Sequence, residues 1–168
     1  MLVRVTASRF GRRLAAAAIF VTAAAVVAQS PANAAEARVP GTTTWLLSYE
    51  RGDRFCLAHA FFPRSGIGLG FVSDGEALGV GLVNQSWTLR EWGDYDLDFR
   101  FDDSTGITAR FVATHATAMA AELDAAAEAD FRSAKSVEVI ATGGRSLGHL
   151  SLKGSARAID YVRTCGQI

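Results

Sequence analysis

Two glycine-striped segments joined through Asp-Gly constrain this chain more than any other feature. Gly66 to Val72 (GIGLGFV) and Ala77 to Val83 (ALGVGLV) flank Ser73-Asp74-Gly75-Glu76. Both segments alternate with period two, the side-chain repeat of a β-strand, and Asp-Gly between alternating runs signals a two-residue hairpin. With Asp74 and Gly75 at the turn, Phe71 faces Leu78, Leu69 faces Val80 and Ile67 faces Leu82. On the opposite side Gly70 meets Gly79 and Gly68 meets Gly81. This register sends every large apolar residue to one face and every glycine to the other, and a slip of one residue destroys the sorting. The chain is therefore expected to build an antiparallel β structure around this hairpin.

The N-terminal segment sets the compartment. Arg4, Arg9, Arg12 and Arg13 precede an apolar run from Leu14 to Ala28, followed by Gln29-Ser30-Pro31 and an A-x-A end at Ala32-Asn33-Ala34. Basic start, short apolar centre and small-residue end are the parts of a cleavable secretory signal, here residues 1–34. The apolar run, as a helix, reaches about 22 Å, short of the roughly 30 Å hydrocarbon core. Arg12-Arg13 is reminiscent of a twin-arginine signal, but Ala15 and Ala16 suit the general secretion route better. No Cys follows the run closely, which argues against a lipoprotein anchor. The protein is thus expected to be periplasmic or secreted, with no membrane span after cleavage.

Residues 35–43 then form a short lead-in, and residues 44–168 a single domain. The whole chain balances 17 basic against 17 acidic residues; without the four arginines of the leader the balance is 13 to 17, about −4. That charge argues against a nucleic-acid binder, which shows a basic face. Both cysteines, Cys56 and Cys165, lie in this domain near its two ends. In an oxidising compartment an even count reads as a bridge. Closing a loop of about 110 residues contributes on the order of 4–5 kcal/mol in the chain-entropy picture. Two distant cysteines lack zinc-ligand spacing, and a bridged Cys is no nucleophile.

The other elements follow from periodicity. Trp45 to Tyr49 reads as a strand, and Phe55 to Phe62 as an inner one, apolar on both faces. Tyr95 to Phe101 alternates cleanly, with Asp96, Asp98 and Arg100 outward, and Ile107 to Val112 returns as its partner. Thr114 to Lys135 is ambiguous: its alanines favour helix, yet a strand near 117–123 followed by a helix from Ala125, capped by Asp124, also fits. Val137–Ala141 and Leu147–Leu152 form a hairpin around Gly143-Gly144, and Ser155 caps a last helix, Ala156–Thr164. Ile159, Val162 and Cys165 recur every three residues on its buried side. The fold class is mainly β: an antiparallel sandwich or partly open barrel of seven to eight strands, with short helices near 125–135 and 156–164.

A set of residues in order carries a family resemblance: Trp45, Cys56, Asp74-Gly75, Asn84-x-x-Trp87, Tyr95-x-Leu97 running to Phe101-Asp102, Phe131-x-x-Ala134 before Val137-x-Val139, Leu150 to Ser155, and Cys165. In these the chain resembles small exported two-cysteine bacterial proteins of unassigned activity. Among named families it is similar to the invasion-associated locus B proteins, which are periplasmic or surface-exposed. The resemblance implies a β-rich fold with a first-to-last disulfide and favours strand-then-helix over 117–135. It brings no catalytic residue with it.

Several activities were tested against the residues. Gly144-x-Ser146-x-Gly148 matches the serine-hydrolase pattern, but that serine needs a strand-to-helix turn with an acid and then a histidine downstream. Here the last histidine is His149, and the flanks read strand–turn–strand. A chymotrypsin-like order of His59, an Asp between 94 and 103, and Ser146 lacks its Gly-Asp-Ser-Gly context. Asp94-x-Asp96-x-Asp98 opens like a calcium loop, yet Phe99 and Thr105 stand where Gly and Glu are required. Asp102 and Asp103 at the next turn retain the potential for a weak ion site. His59, His115 and His149 are scattered, and Gly66-x-Gly68-x-Gly70 opens a strand instead of a helix. No metal or cofactor is expected.

What survives is the glycine stripe. Bare backbone at Gly68, Gly70, Gly79 and Gly81 weakens strands unless something covers it. Either an aromatic such as Trp87 or Trp92 lies across it, or the sheets approach closely, or it forms a shallow groove, edged by Trp87, for a ligand or partner. The expected function is a non-catalytic periplasmic or secreted binding or accessory domain for a protein or small-molecule partner. The alternatives are a small serine hydrolase using Ser146 and a structural envelope protein.

Overall fold

The computed structural model describes residues 34–50, 56–74, 76–102 and 106–165. The leader, apart from Ala34, and Gly75 and Asp103 lie outside the described residues. The chain runs through β1 (Ala34–Arg38), β2 (Leu46–Glu50), β3 (Cys56–Phe62), β4 (Ile67–Ser73), β5 (Leu78–Val83), β6 (Asp94–Phe101), β7 (Ile107–His115) and β8 (Ala118–Leu123). Helix α1 (Ala125–Ser133), strands β9 (Ser136–Ala141) and β10 (Arg145–Ser151) and helix α2 (Ser155–Cys165) complete it. All ten strands form one antiparallel sheet, open at its ends, in the order β1-β2-β3-β4-β5-β8-β7-β6-β9-β10. The mainly β class and both helices are as expected; the strand count is higher. Part of the excess is β1, formed where only a polar lead-in was expected and paired to β2 at the sheet edge.

The glycine hairpin forms, with a corrected register. Phe71 lies opposite Val80, Leu69 opposite Leu82, and Gly70 opposite Gly81, while Gly68 faces Val83 and Gly79 faces Val72. The two-residue turn is replaced by a longer loop from Asp74 to Ala77. Its cause is local: the Asp74 carboxylate accepts the backbone N–H groups of Glu76 and Ala77 at 3.0 Å each, and the Ser73 hydroxyl donates to the Ala77 carbonyl at 2.9 Å. An Asp side chain bonded to backbone two and three residues on mimics a turn of its own, and here it overrides the tight hairpin. The pairing moves by two residues, an even number, so the sorting of faces survives.

One face of the sheet carries the core. Ala58, Leu69, Phe71, Val80, Leu82, Leu97, Phe99, Val137 and Val139 are all buried within one cluster. Helix α1 starts at Asp124, whose carboxylate caps Ala127 N–H at 2.8 Å, and it buries Ala127 and Phe131 against this face. Phe131 meets Phe71, Phe99 and Phe101 edge-on, with ring centroids 5.5, 5.6 and 4.9 Å away. Helix α2 follows Gly154, which has φ +92°, and buries Ala158, Ile159 and Val162. Ser155 Oγ donates to the Phe131 carbonyl at 2.6 Å, and Trp45 Nε1 donates to the Lys153 carbonyl at 3.0 Å. These bonds fix the start of α2 against α1 and the first strands.

The C-terminal end of α2 is held covalently. Cys165 is bridged to Cys56 on inner strand β3, with Cα atoms 6.0 Å apart and a separation of 109 positions in sequence. The two helices are also joined by charge. Glu128 on α1 accepts from Arg163 of α2 and from Arg132 Nε at 3.0 Å, and Arg132 also pairs with Asp160. Hydrogen bonding from Arg163, and then from Arg132, holds the Glu128 carboxyl below its ordinary pKa of 4.5.

Two stability predictions follow from these joints. Replacing both cysteines with alanine is expected to lower the unfolding free energy by about 4 kcal/mol in urea titrations; a loss under 1 kcal/mol would mean that the clamp is redundant with the helix packing. Glu128→Gln is expected to cost about 1–2 kcal/mol at pH 7, because it removes charge-assisted hydrogen bonds. A carboxyl whose folded pKa is depressed stabilises above its unfolded pKa and loses that contribution as pH falls through the folded value. The gap between wild type and Glu128→Gln should therefore close below pH 4.5; a gap independent of pH would sink the ion-pair account.

Candidate functional site

The other face of the sheet divides into an apolar half and a polar half. In the apolar half, cross-strand rows run straight from β3 to β8. Phe61, Gly68, Val83 and Ala118 form one row, and His59, Gly70, Gly81 and Ala120 the next. Leu57, Val72, Gly79 and Glu122 make the third. The structure thus brings all four glycines onto one side of β4 and β5, each of them buried. Val72, Val83, Ala118 and Ala120 are buried with them, at 6, 7, 3 and 5% exposure, and none belongs to the core cluster. Both helices bury their apolar residues on the opposite side, within that cluster. Gly68 is closely overlain: a Cβ there would lie 2.5 Å from Val83 Cγ1.

Trp87 is not part of this surface. It sits in the loop after β5, its N–H bonded to the Asn84 carbonyl at 3.0 Å, and it packs half-buried against the core cluster. Trp92 does not cover the glycines either, being 58% exposed at the entry to β6. Of the covers the sequence allowed for the stripe, an aromatic lid from Trp87 or Trp92 is therefore not seen among the described residues.

The polar half spans β7, β6, β9 and β10. Asp96 pairs with Arg110 at 3.0 Å, which raises the Arg110 pKa, and Asp98 accepts from Thr108. Asp94, Asp96 and Asp98 alternate with inward-facing residues, among them buried Leu97 and Phe99, as the solvent side of a strand should. Asp102, at φ +42°, is committed to backbone: its carboxylate accepts the N–H groups of Lys135 and Ser136 at 3.0 and 2.9 Å. The bond from Lys135 N–H is the main cause of its lowered pKa. An ion at Asp102 would have to displace these bonds. Among the described residues, no three His, Cys, Asp or Glu side chains are placed to hold a metal ion.

Ser146 lies on β10, outside the turn itself. Gly143 and Gly144, at φ +92° and +85°, make the turn, and a register shift between Ser146 and Gly148 follows. Ser146 sits opposite Ile140 and His149 opposite Glu138, so the bulge turns both toward the same side of the sheet. His149 Nε2 lies 3.3 Å from Glu138, which also pairs with Arg100 at 3.2 Å. The sequence spacing of three concealed this, because an unbulged strand puts residues i and i+3 on opposite faces. No hydrogen bond joins Ser146 to His149 among the described residues, and the His149 side chain is 73% exposed. His59 and His115 stand elsewhere, His115 Nδ1 being 3.2 Å from the Thr117 hydroxyl. A shallow cleft of about 410 Å³ opens at the start of α2, between Lys135, Lys153 and Ala156. It contains none of the candidate residues.

The sequence matches no family model and no curated protein. Among solved structures, the chain is similar to the crystal structure of invasion associated protein B from Bartonella henselae. The TM-score is 0.55 and the identity 12%, over 76% of this chain and 98% of that one. The likeness is one of fold.

The packing over Gly68 gives a direct test. Gly68→Ala is expected to cost about 1–3 kcal/mol by overpacking, and Val83→Ala in the same chain to return much of that loss. Thermal unfolding of the two single variants and the double would check it. Additive effects of the two substitutions would show that Val83 does not fill the space above Gly68.

Proposed function

We propose that the chain is an exported, non-catalytic binding or accessory domain that uses the outer side of β3, β4, β5 and β8 to hold a protein or small-molecule partner. The observation that carries this reading is a second apolar surface outside the core, on the side to which neither of the two described helices packs. Its glycines are themselves buried, and close packing of another group over backbone is a use that strand glycine serves. Export is supported by the leader pattern at 1–34 and by a disulfide of the kind that persists in the periplasm or outside the cell. No helix among the described residues is long and apolar enough to cross a membrane.

A serine hydrolase is the second reading, and the bulge at Ser146 is the observation in its favour. Against it, Ser146 and His149 are both exposed on an open strand, without a walled site to exclude water or aim donors at an oxyanion. A fluorophosphonate probe applied to the folded protein should leave it unlabelled; labelling that disappears in Ser146→Ala would replace the binding reading with the hydrolase. Cross-linking in the exporting cell, read by mass spectrometry, should capture a partner that is lost in a folded Gly79→Val variant. Capture unchanged by that substitution would remove the outer face as the binding surface. Failure to capture any partner would favour a structural envelope role.

A further inference from the structure

The strand registers gather a set of turns at one end of the sheet: the β3–β4 turn, the β5–β6 loop, the β7–β8 turn and the β9–β10 turn. Among the described residues, two of the three exposed large apolar side chains lie there, Phe61 at 53% and Trp92 at 58% exposure. Trp92 is also held at φ +62°, its N–H bonded to the Ala113 carbonyl at 2.8 Å. A left-handed backbone is costly for a bulky residue, and an indole left in water gains nothing from the fold in return. Arg64 and Arg90 stand exposed on these turns and Arg145 at the start of β10, and none makes an ion pair with a described residue. Two acids share this end, Glu91 and Asp94, and Asp94 acts on Arg110.

We infer that this end of the sheet docks on an anionic lipid surface, with Trp92 and Phe61 entering the headgroup layer and Arg64, Arg90 and Arg145 meeting lipid phosphates. Tryptophan is enriched at membrane–water interfaces, and arginine near a surface adds attraction to anionic lipid. The anchors are spread around a rim: Phe61 lies near the end of β3 and Trp92 in the loop before β6, strands five places apart in the sheet. Such a spread fits a flat, laterally adaptable surface better than the compact patch a folded protein partner presents. Phe61 also ends the first row of the outer face, so the test reads Trp92 and the three arginines, which lie outside that face.

The test uses the exported protein, with its processed N-terminus checked by mass spectrometry so that the apolar run 14–28 does not itself bind lipid. Vesicles of brominated phosphatidylglycerol should quench and blue-shift the tryptophan emission, and Trp92→Phe should abolish both effects, since Trp45 is buried and Trp87 packs on the core. Phosphatidylcholine vesicles should give little quenching. Arg64→Gln, Arg90→Gln and Arg145→Gln together should raise the lipid concentration for half-maximal quenching about a hundredfold, roughly fivefold for each arginine. Unchanged thermal unfolding in these variants shows that the fold is intact. Equal quenching by both lipids, quenching that persists in Trp92→Phe, or none at all would overturn the inference. Salt-sensitive binding to polyglutamate without lipid quenching would also overturn it, assigning the rim to an acidic macromolecule. The serine probe and the partner cross-linking are read independently of these outcomes.

Discussion

The ring of Phe131 is the contact on which the rest of the sheet depends. It touches Phe71 on β4 and both Phe99 and Phe101 on β6. In the sheet those strands are four places apart, with β5, β8 and β7 between them. Strands spaced about 4.8 Å apart would put β4 and β6 roughly 19 Å from each other in a flat sheet. One phenyl ring reaches both only if the sheet is strongly coiled. The curvature, the position of α1 and the single-sided core are therefore one fact. Strongly twisted open sheets of this width curl, and here the sheet curls around α1.

An open, curled sheet still needs its ends fixed, and α2 does this. It rests on β3 and β4, is tied to α1 by Ser155 and the Glu128 ion pairs, and is locked to β3 by Cys165. The arrangement is ordered in the chain: α1 fills the concavity, β9 and β10 extend the sheet beyond β6, and the last helix returns to the first half. The disulfide joins a residue of inner strand β3 to the last described residue of the chain. Every strand from β4 to β10 lies within the loop it closes. Cross-links that close long loops constrain the unfolded chain most, which is where a covalent clamp adds most to an open sheet.

Most of this was legible because periodicity is a strong signal wherever one face is buried. The alternation from Tyr95 to Phe101 and the three-residue recurrence of Ile159, Val162 and Cys165 placed β6 and α2 correctly. The hairpin register was not legible to the residue, since it depends on which backbone N–H donors the Asp74 carboxylate accepts from. Alanine obscured β8. Ala118, Ala120 and Ala121 have helical propensity but lie in a strand buried on both sides and paired to β5 and β7, where tertiary context overrides propensity. Strand β1 gave no apolar repeat because an edge strand needs none. Its pairing with β2 is set by backbone hydrogen bonds that no side-chain pattern announces.

The candidate site was legible only in part, for a different reason. Catalytic and metal sites demand particular residue types at particular separations, so a sequence can argue for or against them. A recognition face demands only that certain residues be small or exposed, and it becomes visible once register assigns them to a side. The glycine stripe keeps its side because the shift in register is even; Trp87 lies in a loop, which has no period to fix its side. Ser146 and His149 show the converse. Their spacing argued against a shared face, a bulge gave them one, and yet shared orientation without enclosure supplies no catalysis. For this fold, what distinguishes a working surface from a solvated one is the covering or exposure of the outer side and the rim, and those are properties of the curled sheet as a whole.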